Sequence, residues 1–163
     1  MESMKKLFLL CLISLFMVAG LASCNDNDTN EVEEEITFSE LPMTAQTFVK
    51  TYFSEYEIAK ILKDVEGVVT IYEVKFSNGY QAEFNNEGIW QQVAAPYGEK
   101  IPTGFIPGPI MSTLNRDYQG FGINVINKQG EYYKIVLTDN QGGNSISLLF
   151  NMSGEIMNNP DNM

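Results

Sequence analysis

Residues 72–93, YEVKFSNGYQAEFNNEGIWQQV, decide the fold. Tyr72, Val74 and Phe76 alternate with Glu73 and Lys75, which gives a strand one apolar and one polar face. Tyr80, Ala82 and Phe84 repeat the pattern after Ser77-Asn78-Gly79. An Asn-Gly pair suits a two-residue hairpin, but that loop pairs Phe76 with Gln81 and splits the apolar set between the two faces. A three-residue loop pairs Phe76 with Tyr80 and Val74 with Ala82, with Gly79 at the position needing positive φ. Asn86-Glu87-Gly88 is expected to form a second such loop, which pairs Phe84 with Trp90 and turns Trp90 inward.

Outward from this meander the pattern returns. Tyr133, Ile135 and Leu137 answer Tyr72, Val74 and Phe76, and Phe150, Asn151, Gly154 and Ile156 answer Phe84, Asn85, Gly88 and Trp90. Upstream, Leu41-Pro42 opens a helix expected to run to about Phe53. Thr44 is its candidate N-cap, and Ala45, Phe48, Val49 and Tyr52 make one apolar stripe. Ile106-Pro107 matches Leu41-Pro42, and Leu114, Tyr118, Ile123 and Ile126 match Val49, Phe53, Ile58 and Ile61. The reading is an α+β chain of two tandem repeats, each one helix plus an antiparallel four-stranded meander, with both helices on one side of the sheet.

The amino-terminal residues carry an address. Lys5 and Lys6 precede an apolar run from Leu7 to about Ala22, too short to serve as a membrane span. Leu21-Ala22-Ser23-Cys24 resembles the lipobox of bacterial lipoproteins, which implies cleavage before Cys24 and lipidation of its thiol. Cys11 is lost with the signal, so no disulfide is expected within the mature chain. Residues 25–40 contain Asp26, Asp28, Glu31, Glu33, Glu34, Glu35 and Glu40 and no base. Such a segment buries too little apolar surface to order itself and is expected to act as a tether. Asp26-x-Asp28-x-Asn30 has the spacing of a calcium loop but lacks the turn glycine and the closing Glu. The expected organisation is a signal peptide over 1–23, a tether over 24–40, repeats over 41–95 and 106–157, a Pro/Gly connection over 96–105 and a frayed tail over 158–163.

The series LP…A…F…YF…I…YEVKFSNG…EF…G.W, returning as IP…I…L…Y, resembles the PepSY-like lipoproteins, also called β-lactamase-inhibitor-like. The resemblance covers nearly all of residues 41–157. It implies helices packed on one side of an antiparallel sheet in an exported protein, with binding or inhibition of a protein suggested by the fold. The six-residue loop DNQGGN and Ile156 in place of a tryptophan depart from the pattern. No inhibitory residue carries over.

Composition narrows the chemistry. The chain has no histidine, which excludes Ser-His-Asp and Cys-His catalysis and ordinary zinc sites. Carboxylate-pair catalysis needs two acids held together in a cleft. Glu73, Glu83, Glu131 and Glu155 read instead as outward or terminal residues on a solvated face. The net charge of −11 and the absence of basic patches argue against nucleic acid as a partner. Gln141-Gly142-Gly143 lacks the lysine and following helix of a phosphate loop. No cofactor or metal is expected, and the chain reads as a non-enzyme.

The expected role is a binding module held in the bacterial envelope, with the membrane engaged through the lipid on Cys24. A sheet covered on one side should show water a polar opposite face. Here Ile71, Ile89 and Val93, with Tyr132, Val136 and Leu149, are expected to point outward beside Lys75 and Lys134. An exposed apolar set of this kind marks a surface for a protein or extended peptide.

Overall fold

The computed structural model describes residues 31–139 and 143–157. Among these residues nine strands run in sequence order: β1 (Glu31–Glu35), β2 (Ile58–Glu66), β3 (Val69–Phe76), β4 (Gln81–Asn85), β5 (Trp90–Ala94), β6 (Phe121–Gln129), β7 (Tyr132–Asp139), β8 (Ser145–Asn151) and β9 (Ile156–Met157). Helix α1 spans Met43–Tyr52 and α2 spans Gly108–Asp117. All nine strands join one antiparallel sheet, ordered β1 to β9.

This corrects the expected architecture of two tandem helix-plus-four-strand repeats. β5 pairs with β6 through Gln92↔Asn127, Val93↔Ile126 and Ala94↔Val125, so the two meanders are parts of a single nine-stranded sheet. Val93 and Ile126 each need an apolar neighbour on the covered face, and pairing supplies it. The ninth strand, β1, comes from the stretch expected to be an unordered tether. It pairs with β2 from Glu31↔Glu66 to Glu35↔Leu62. The tether reading counted only apolar burial, whereas β1 needs none: it borrows a ladder from an already ordered strand. Ile36 then donates its N–H to Ile61 O at 3.0 Å and packs, with Phe38, on the core.

The covered face follows from the register. Val74, Ala82, Val93, Ile126 and Ile135 stand side by side across β3 to β7, and each is completely buried. Ala45, Phe48 and Val49 of α1 and Ile110 and Leu114 of α2 close over this face as parts of the same core. Phe48 meets Phe84 edge-on at 5.5 Å and Phe105 at 4.9 Å, which ties α1 to β4 and to the segment before α2. α1 begins just after Pro42, two residues earlier than a Thr44 cap requires.

The hairpins match the three-residue reading. Val74 lies opposite Ala82, Phe76 donates its N–H to Tyr80 O at 2.9 Å, and Gly79 has φ 86°. Phe84 lies opposite Trp90, and Gly88 has φ 76°. Trp90 is inward and half-buried, its ring 5.0 Å from Phe105 and 6.1 Å from Tyr133.

Candidate functional site on the open sheet face

A bulge in β5 sets the site. The register shifts between Glu83 and Phe84: Phe84 faces Trp90, yet Glu83 faces Gln92 and Ala82 faces Val93. Gln91 is the extra residue, so Trp90 and Val93 both reach the covered face although they are three apart. Val93 is therefore a core residue and not the outward one expected from strict alternation. Gln92 takes its place on the open face.

Gln92 completes a row. Reading across the open face, Leu62, Glu73, Glu83, Gln92, Asn127, Lys134 and Leu149 stand directly opposite one another on β2 to β8. Its centre is buried with no helix among the described residues lying over it: Glu83 is 7% exposed, Gln92 5% and Asn127 9%. Gln92 Nε2 donates to Glu83 Oε1 at 3.2 Å, and Asn127 Nδ2 donates to Gln92 Oε1 at 3.0 Å. Asn127 Oδ1 is buried with no partner among the described residues. An unmade hydrogen bond of this kind costs about 1–3 kcal/mol.

Electrostatics concentrate on Glu83. Burial, followed by the Glu73 carboxylate directly opposite, pushes its carboxyl up to about 7, against a smaller downward pull from Lys75. Lys75 Nζ is 3.1 Å from Glu73 Oε2 and so is partly engaged already. At the other end Lys134 makes no ion pair among the described residues.

The other expected site residues divide. Ile71 lies half-buried on the open face, opposite Asp64 and Asn85. Tyr132, 43% exposed, Lys134 and Val136 follow one another on the open side of β7, and Leu149 sits opposite Lys134. Ile89 departs from this face: with Met43, Thr44, Thr47 and Trp90 it lines a shallow depression beside α1. Cys24 and the Asp26-x-Asp28-x-Asn30 spacing lie outside the described residues. Among the described residues no group of three or more His, Cys, Asp or Glu side chains is gathered to hold a metal ion.

Gln92 and Asn127 were not singled out by the sequence, and Glu83, read there as an acid on a solvated face, is buried on the open face instead. One signal for Glu83 was available, because the three-residue loop that pairs Val74 with Ala82 also sets Glu73 against Glu83. Like charges directly opposite destabilise a strand pair, so such a placement asks for a compensating environment.

Residues 70–158, more than half of the chain, match the family described as "Putative beta-lactamase-inhibitor-like, PepSY-like". The chain belongs to this family. The PepSY-like match begins in β3 and runs through β9, so it takes in the whole Glu73–Lys134 row. No curated protein matches the chain. Among solved structures, a "putative periplasmic protein" of the DUF2874 family from Bacteroides vulgatus is 27% identical, with a TM-score of 0.70 over 77% of this chain and 94% of that one. A "putative calcium-regulated periplasmic protein" from Bacteroides thetaiotaomicron is 25% identical, also with a TM-score of 0.70 over 77% of this chain and 94% of that one. A second Bacteroides vulgatus protein, a "putative periplasmic protein of unknown function", shares the fold at 24% identity and a TM-score of 0.66, over 78% of this chain and 97% of that one.

Proposed function

We propose that this PepSY-like chain is an exported, lipid-anchored binding module without catalytic activity, and that its open sheet face binds an envelope protein or an extended peptide. The observation that supports the reading is the set Tyr132, Val136 and Leu149, apolar and uncovered beside Lys134 and a buried polar row. A purely structural sheet gains stability by covering or charging such a face, and this one does neither fully. Tyr132 is the central anchor, with ring area for contact and a hydroxyl for a hydrogen bond. Lys75, beside Glu73, and Lys134, at the other end of the polar row, supply positive charge in an otherwise acidic chain. Periplasmic relatives support an envelope location, and Cys24 supplies the lipid that holds the chain there.

The test is capture from envelope extract by the full chain. Tyr132→Ala and Leu149→Asp are expected to weaken retention of a discrete protein or peptide at least tenfold, within the roughly 1–3 kcal/mol of a single anchor. Their melting temperatures should stay near wild type, since neither side chain is in the core. Retention equal to wild type removes the face as the site. Failure of the wild type to retain anything discrete favours an accessory lipoprotein with no ligand of its own. In the same cells Cys24→Ala should move the protein from the membrane to the soluble fraction.

A further inference from the structure

Glu83, Gln92 and Asn127 form a hydrogen-bonded series whose direction is fixed at one end. A carboxylate has no proton to give, so an ionised Glu83 obliges Gln92 to turn its Nε2 toward it. Gln92 then has only Oε1 to offer Asn127, which must answer with Nδ2. Asn127 Oδ1 is what remains. This is the arrangement observed, at 3.2 Å and 3.0 Å with Oδ1 unpartnered.

We propose that this row is a proton-set switch, in which the charge on Glu83 decides which way the side-chain amides of Gln92 and Asn127 point. A protonated Glu83 has an O–H, and burial requires that it find an acceptor. The Glu73 carboxylate, directly opposite on β3, is held by Lys75 at 3.1 Å. Gln92 Oε1, on the other side, becomes available by a turn of the amide. The Asn127 amide turns in step, so that Gln92 Nε2 donates to Asn127 Oδ1, whose missing partner is thereby supplied.

The groups facing the series are few. Glu73 and Lys75 approach from β3, Lys134 stands opposite Asn127 on β7, and on β2 Lys60, opposite Lys75, and Asp64, opposite Ile71, flank the apolar Leu62. Glu73 opposes ionisation of Glu83 and Lys75 favours it, and the carboxyl's rise to about 7 places the turnover close to neutral pH.

The experiment follows the side-chain amide resonances of Gln92 and Asn127 and the carboxyl carbon of Glu83 by NMR of the full chain, from well below to well above neutrality. All three are expected to move with one midpoint. The Asn127 amide protons, sheltered by Gln92 above that midpoint, should be several-fold less protected below it, relative to a free amide at the same pH. Glu83→Gln should abolish the transition in both amides. A Glu83 carboxyl that titrates while both amides stay still would place the proton between Glu83 and Glu73 and overturn the proposal. Amides that titrate unchanged in Glu83→Gln would overturn it too. The wild-type titration decides even if the variant fails to fold. These signals are read with no partner present, so failure of the turnover is distinguishable from failure of the binding face.

Discussion

At Glu83 a single carboxyl records what the open face costs. Its ordinary value is 4.5, and in the fold it rises to about 7. Between those values the folded chain keeps a proton that the unfolded chain has released. Stability therefore falls as pH rises through that interval and is level above it. The displacement corresponds to roughly 3 kcal/mol. Glu83→Gln is expected to be more stable than wild type above neutrality by up to about 3 kcal/mol, with no slope in that window. Denaturant unfolding on both sides of neutrality checks this, and a variant that keeps the wild-type slope contradicts it. The opposition of Glu73 and Glu83 was legible in the sequence, since the loop register fixes it. The burial was not. It depends on Gln92 and Asn127 standing alongside, and Gln92 does so only because one residue bulges from β5.

Among the elements, the hairpins were the most legible and the strand edges the least. Asn85 shows why the turns were readable: its Oδ1 accepts from Glu87 N at 3.0 Å and Ile89 N at 2.9 Å, a purely local closure. Asn151 does the same for Ser153 N and Glu155 N, each at 3.0 Å. These turns also seat the helices. A Cβ at Gly88 would lie 2.8 Å from Ala45 N, at the start of α1, and a Cβ at Gly154 would lie 2.5 Å from the Pro109 carbonyl, at the start of α2. Gly88→Val and Gly154→Val should therefore lose more than the roughly 1–3 kcal/mol of a strained backbone conformation, because the helix start must also move. Gly67→Ala, where φ is 62° but nothing lies within 4 Å, should lose only the backbone part. Chemical unfolding separates the cases, and equal losses would mean the turns do not hold the helices. β1 escaped the sequence reading because its glutamates pair through backbone. Its ion pairs, Lys60–Glu35 and Lys63–Glu34, are exposed and 3.8 Å long, which leaves them little to contribute.

Over the whole molecule the sheet has two unlike faces. One carries both helices and the aromatic cluster around Phe48, Trp90 and Phe105. The other carries a buried polar row, the lysines Lys60, Lys75 and Lys134, and the uncovered Tyr132, Val136 and Leu149. Alternation in the sequence distinguished the faces along most strands and misplaced Val93, where the bulge intervenes, and Ile89, which turns toward α1. Function is proposed to reside on the open face, and contact made inside living cells tests that most directly. A photo-crosslinking residue replaces Tyr132 on that face or, as a control, exposed Lys50 on α1. The expected result is a discrete adduct from position 132 and none from position 50. No adduct from position 132, or the same adducts from both, would contradict it.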